Sequence, residues 1–246
     1  MSTVAYESHG TGTPVVLLHG LTFDRHSWHP IIERLGDDVH TIAIDLPAHG
    51  ESAGPPAYID VVAGQVHELV EELGIEPPVV VGHSISGGVA MTYAATYPTR
   101  GAISVDSAFD LRPMIKGMQQ ATQAPSFEQA FAPFQQSMRL DLVPGGVPQE
   151  IREDVVLGYW SELLHADPEM FQRRIETIAR RVTVPGLALF GDSLTPEQRE
   201  YFNAFAPTVE IEEWPGHGHM LFLVDPDRFT ARLRSFVASV TPVGAL

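Results

Sequence analysis

The chain has 246 residues, 44% of them hydrophobic and 19% charged, which is enough apolar material for one large globular core or a core carrying an insertion. Its formal net charge of −16, from 31 acidic and 15 basic residues, repels phosphate backbones and anionic lipid and argues against nucleic acid or a membrane surface as a partner. The lack of cysteine excludes a disulfide framework, a thiolate nucleophile and a cysteine metal site, and is compatible with the cytoplasmic location expected here.

In chain order, the start MSTVAYESHG has no basic segment followed by an apolar stretch, so no secretory signal is expected. No window approaches the ~18 consecutive apolar residues of a membrane span. Val15-Val16-Leu17-Leu18 reads as a short strand ended by His19-Gly20, residues 24–35 as helical, and Val39 to Ile44 as a second strand. Residues 59–73 carry Val62, Val66, Leu69, Val70 and Leu73 on one face, the spacing of an amphipathic helix that Gly74 stops. Val79-Val80-Val81 is a strand buried on both faces, followed by a helix from about Gly87 to Tyr97 and a fourth strand from Ala102 to Val105. From about Phe109 to Arg181 no strand is expected; instead Phe127, Phe131, Phe134 and Met138 recur at helical spacing between prolines. The strand–helix rhythm returns at Gly186 to Phe190 and Val209 to Ile211, and closes with a helix from about Pro226 to Val240. This is an α/β pattern: a mostly parallel sheet in residues 1–108 and 184–246, with residues 109–183 inserted as a helical cap over the edge where such sheets bind ligands.

The chemistry concentrates at Gly82-His83-Ser84-Ile85-Ser86-Gly87-Gly88, a strand, a sharp turn and a helix start. A serine hydroxyl attacks well only when it projects beside a base and an anion trap, and small flanking residues let strand and helix approach closely enough to do this. The same turn sets the Ile85 amide at a helix N-terminus, where donors are unpaired and negative charge is favoured. The pattern departs from G-x-S-x-G by placing Ser86 at the fifth position, a change small enough to fit. Phosphate binding is disfavoured, because the loop lacks G-x-x-x-x-G-K-[ST] and Lys116 is the only lysine in the chain.

Taken with His19-Gly20-Leu21, Asp45-Leu46-Pro47-Ala48-His49-Gly50-Glu51-Ser52 and Gly218-His219 followed by Asp225-Pro226, this turn resembles the α/β-hydrolase superfamily over nearly the whole length, with Trp28 at a position where tryptophan is frequent and Ala48 replacing a glycine. The resemblance implies Ser84 as nucleophile, His219 as base, and the backbone amides of Leu21 and Ile85 as oxyanion donors. His217 competes with His219; the seven-residue step to Pro226 selects His219. His19 is expected to hold the loop that precedes Leu21, while His9, His26, His29, His40, His67 and His165 have no partner that the sequence names.

The third member, an acid to orient the histidine, is open. Most of the family carries it after the next-to-last strand as G-x-x-D, but here that position is Leu194, and Asp192 comes two residues early, where it would serve to cap the helix beginning at Pro196. Some branches, including zearalenone-type lactonases, keep the acid after the strand that follows the nucleophile helix, which is Asp106 here. The chain order Ser84, Asp106, His219 also suits the fold, so Asp106 is preferred, Asp192 is the alternative, and Asp110 comes third.

These readings imply a serine hydrolase acting on an ester or lactone of a small to medium, mainly apolar molecule, with His83, Phe134, Met138 and Trp160 as candidate substrate-lining residues. Alternatives on the same triad are carbon–carbon bond hydrolysis, amide hydrolysis or cofactor-free perhydrolysis; outside enzymes, a noncatalytic small-molecule receptor. No cofactor is expected, nor a metal, since His217 and His219 stand on a loop without a neighbouring carboxylate–histidine set. A monomer or homodimer is expected.

Overall fold

A computed structural model of the chain describes residues 4–241; residues 1–3 and 242–246 of the two expected core segments lie outside the described residues. Seven strands form one sheet: β1 (Tyr6–His9), β2 (Pro14–Leu18), β3 (His40–Ile44), β4 (Val79–His83), β5 (Gly101–Val105), β6 (Gly186–Phe190) and β7 (Val209–Glu213). Their spatial order is β1-β3-β2-β4-β5-β6-β7, parallel throughout except for β1, which pairs antiparallel with β3 at the edge. The strand β1 was not expected from the sequence. Its residues Tyr-Glu-Ser-His are polar and mostly exposed, as an edge strand permits, so no apolar run announces it.

The central strands are buried at every position because both faces of the sheet are covered. Side chains alternate along a strand, and the burial follows that alternation. Val15, Leu17, Val79, Val81, Ile103 and Leu187 pack toward α1 (His29–Leu35) and α10 (Pro226–Val240). Val16, Leu18, Ile42, Ile44 and Val80 pack toward α2 (Ile59–Leu73) and α3 (Ile85–Thr96). The stretch read as one helix over 24–35 is a 3-10 turn, Arg25–Trp28, running into α1, where Pro30 lies in the first turn and its missing N–H removes no bond. Trp28 is fully buried against Phe222 and Phe229, with ring centroids 4.4 and 5.9 Å away.

Between β5 and β6 the chain forms α4 (Arg112–Ala121), α5 (Phe127–Ser137), α6 (Glu153–His165) and α7 (Pro168–Ala179), with no strand among the described residues of that stretch. After β6 come α8 (Pro196–Phe205), β7, the short α9 (Leu221–Val224), which the sequence did not reveal, and α10. The buried Gln172 fastens α7 to the segment leaving β5 and to α8: its Oε1 accepts from the Leu111 amide at 2.9 Å, and its Nε2 donates to the Phe109 carbonyl and the Tyr201 hydroxyl, each at 2.9 Å. Among the described residues no helix is long and apolar enough to cross a membrane.

Candidate active site

A cavity of about 750 Å³ lies over the carboxyl ends of β4, β5 and β6, beneath the helices α4 to α7. Ser84, Asp106, His219, Leu21 and Ile85 all line it, although they come from four separate parts of the chain.

Ser84 sits at the sharp turn between β4 and α3 with φ 57°, a backbone conformation that an L side chain adopts at a cost and that neighbouring structure must enforce. Three bonds do so. The Ser84 amide donates to the Val105 carbonyl at 2.8 Å, and the Ser84 carbonyl accepts from the Gly87 amide at 2.9 Å and from the Ser107 hydroxyl at 2.6 Å. Gly82 is required for this turn: a Cβ there would lie 1.8 Å from the Ser86 carbonyl oxygen.

His219 Nδ1–H donates to Asp106 Oδ2 at 2.7 Å, which leaves Nε2 as the ring's lone-pair nitrogen. The second carboxylate oxygen, Asp106 Oδ1, accepts the Gly191 amide at 2.8 Å. The end of β6, where most of the family carries its acid, thus contributes a main-chain donor that steadies an acid on β5. Asp192 is exposed and does not touch His219; nor does it cap α8, whose capping box is built by Thr195 and Gln198. Asp110 is taken up by Arg112, whose guanidinium hydrogen bonds lower its pKa. His217 turns away: its Nδ1–H donates to the Trp214 carbonyl at 3.0 Å and its Nε2 lies 3.9 Å from Asp225.

The turn after β2 is held by His19. The Leu46 amide donates to His19 Nε2 at 3.0 Å, so the neutral ring carries its proton on Nδ1 and donates it to the Gly20 carbonyl at 2.8 Å. The Gly20 carbonyl and the Leu21 amide belong to one planar trans peptide and point in opposite directions, so gripping the carbonyl fixes where the Leu21 N–H is aimed. Among the described residues neither the Leu21 nor the Ile85 amide has a hydrogen-bond acceptor. Ser86, the departure from the glycine pattern, ties the two turns together: fully buried, its hydroxyl donates to the His19 carbonyl at 2.5 Å. Ser86→Ala is expected to destabilise the chain by about 1–3 kcal/mol by orphaning that carbonyl, read from urea unfolding midpoints.

Burial strips hydration from the His19 imidazolium and, with the nearby His49, pushes the His19 pKa down to about 3. Unfolded, the same ring takes a proton near its ordinary 6.5. Between those values the unfolded chain binds more protons, so stability falls as pH drops through that window, by about 1.4 kcal/mol per pH unit for this one group. His83, also buried, is held well below its ordinary range, chiefly by burial and then by the charge of His219, and adds in the same direction. Denaturant midpoints at pH 7 and pH 5 are expected to show the loss.

Two candidate substrate-lining residues do line the cavity, Phe134 and Trp160. Two do not. His83 adjoins Ser84 in sequence but points into the sheet–loop packing, where its Nε2–H donates to the His219 carbonyl at 2.9 Å and its ring lies tilted against Phe222 at a centroid distance of 5.0 Å. Met138 is buried in the core cluster with Val143 and the β-sheet residues, because helical spacing sets which side of α5 a residue shares, not what lies opposite. Of the stripe Phe127, Phe131, Phe134 and Met138, only Phe134 reaches the cavity. Polar residues that the sequence did not single out, Ser107, Arg112 and Tyr201, also line it. A cluster of side chains of metal-ligating type lies elsewhere among the described residues, at Glu7, His26 and His29.

Residues 15–232 match the family described as Alpha/beta hydrolase family. An uncharacterized protein of Mycobacterium tuberculosis is 35% identical over 96 residues, covering 38% of this chain and 28% of that protein. The dihydrolipoyllysine-residue acetyltransferase component of the acetoin cleaving system of Pseudomonas putida is 33% identical over 245 residues, covering 92% of this chain and 64% of that protein, so the chain spans less than two thirds of either relative. Among solved structures, Est816, described as an N-acyl homoserine lactone degrading enzyme, superposes with a TM-score of 0.76 at 24% identity, covering 95% of this chain and 96% of that one.

Proposed function

Since the chain belongs to the alpha/beta hydrolase family, we propose that it is a serine hydrolase that cleaves an ester or lactone of a small to medium, mainly apolar substrate through an acyl-enzyme. The observation that carries this reading is the His219 ring, held by Asp106 at 2.7 Å through Nδ1, on the same cavity as the Ser84 hydroxyl.

In the proposed reaction, His219 Nε2 takes the Ser84 proton as Oγ attacks the carbonyl carbon. Asp106 keeps the ring in the tautomer that exposes Nε2 and offsets the imidazolium charge. The oxygen that becomes negative lies between the Leu21 and Ile85 amides, donors of a kind worth ~3–4 kcal/mol each in the transition state. The imidazolium then returns its proton to the leaving oxygen. Water, deprotonated by the same nitrogen, cleaves the acyl-enzyme and restores Ser84. Leu21 and Ile85 act through main-chain groups, so side-chain replacement would leave the donors in place.

The wall supports the substrate class. Leu21, Ile59, Met114, Phe134, Trp160 and Phe171 present apolar surface, and the charged pair Asp110–Arg112 is largely self-neutralised by its hydrogen bonds. Est816 makes a lactone with an acyl chain a reasonable member of the first test panel, beside p-nitrophenyl esters of increasing length.

The test is a fluorophosphonate probe on the purified chain. A single adduct on Ser84, one per chain, and its loss in Ser84→Ala are expected, together with hydrolysis of at least one ester or lactone of the panel. An unlabelled wild-type chain that turns over no member of the panel would refute the proposal.

A further inference from the structure

At the outer edge of the sheet, three side chains of metal-ligating type converge. One carboxylate oxygen of Glu7 and one ring nitrogen each of His26 and His29 lie within 4.8 Å of one another. Glu7 projects from β1, His26 from the 3-10 turn and His29 from the start of α1. None of them lines the cavity that holds Ser84.

We propose that Glu7, His26 and His29 form a binding site for a divalent transition metal of the zinc or nickel type, oriented by Asp24. Four features support it. First, the histidines stand three residues apart across a helical start, a spacing that puts both rings on one side, and the rings meet edge to face at a centroid distance of 4.8 Å. Second, His26 Nδ1–H donates to Asp24 Oδ1 at 3.1 Å, and Asp24 is itself fixed because the same oxygen accepts the His26 amide at 2.9 Å. A carboxylate on one ring nitrogen sets the tautomer that exposes the other, as in carboxylate–histidine–metal arrangements. Third, His29 Nε2 already meets Glu7 Oε1 at 2.6 Å, so ligand atoms from two separate elements are in register; a metal would take the place of that hydrogen, with the imidazole proton moving to Nδ1. Fourth, strand alternation sets His9 on the same side as Glu7, with His9 Nε2 3.9 Å from Glu7 Oε2; His9 lies outside the three converging ligand atoms, and a water would complete a tetrahedral shell.

The donor set decides the class of metal. Imidazole nitrogens with a single carboxylate suit zinc, nickel or copper, whereas calcium and magnesium call for oxygen shells. A metal held about 2 Å from each donor brings the donors to within ~4 Å of one another, a closure that side-chain rotations of partly exposed residues can supply. The adjacent Arg25 does not oppose a cation, because its guanidinium is paired with Asp45 and Glu51. Such a site ties the edge strand to the helix beside it and is independent of hydrolysis.

The experiment is calorimetric titration of the full, tag-free, chelator-treated chain with zinc chloride, with thermal unfolding in parallel. Saturable binding of one zinc per chain is expected, with a Tm that rises with zinc and returns on adding a chelator. His29→Ala and Glu7→Gln should each weaken binding by about tenfold or more, and Asp24→Asn by about 10–100-fold. Catalytic turnover of any substrate found should be unchanged by occupancy. Absence of saturable binding in the wild-type chain would overturn the proposal. So would equal zinc affinity in the doubly substituted His26→Ala/His29→Ala chain, shown to be folded by circular dichroism.

Discussion

His219→Ala is expected to reduce kcat on the best ester or lactone by about 10⁶-fold, whereas His217→Ala leaves it close to the wild-type value. The contrast follows from where each ring nitrogen points. His219 keeps Nε2 free on the cavity because Asp106 occupies Nδ1, while His217 donates to the Trp214 carbonyl and faces Asp225. Without the His219 base, Ser84 would have to lose its proton unaided, and the catalysis left would come from the anion donors and from substrate binding. Steady-state kinetics with circular dichroism as a fold control decides the matter. Equal losses in the two variants would mean that the histidine loop acts as a structural unit rather than through one ring.

Asp106→Asn is the second. It is expected to lower kcat by about 10⁴-fold with little change in KM, while Asp192→Asn changes neither. An amide in place of the carboxylate presents an N–H to the ring, favours the tautomer with the proton on Nε2, and removes the charge that offsets the imidazolium. The Gly191 amide would still find an oxygen, so the loop should keep its place and the defect should be chemical rather than structural. Asp192 is exposed and makes no hydrogen bond to the ring, which Asp106 holds, so its substitution tests the alternative directly.

Much of the architecture could be read from residues. The apolar runs at Val15–Leu18, Val79–Val81 and Gly186–Phe190 announce buried parallel strands because both faces of each are covered. Ser84 stood out because its environment is local: a strand, a tight turn and a helix within a few residues. What escaped was whatever depends on distant neighbours. The polar β1 carries its reason for being a strand in its partner β3, not in itself. His83 sits beside Ser84 in sequence, yet the strand's alternation turns its ring inward. Ser86 looked like a tolerated substitution because the carbonyl it serves lies 67 residues away. The choice between Asp106 and Asp192 stayed open for the same reason: whether a carboxylate on β5 reaches a histidine after β7 depends on how three strand ends converge.

The Gly191 amide on Asp106 has a further implication. Under the proposed mechanism the segment after β6 contributes main-chain groups only, the Gly191 N–H to Asp106 and the Gly191 carbonyl to the His217 and Gly218 amides, and position 191 itself stays a glycine, since a Cβ there would lie 1.9 Å from the Gly218 carbonyl oxygen. Positions 192 and 193, which are exposed, are therefore released to drift. They are a natural place to graft a short peptide or a fluorophore next to the loop that steadies Asp106, giving an optical report without disturbing the groups that do the work.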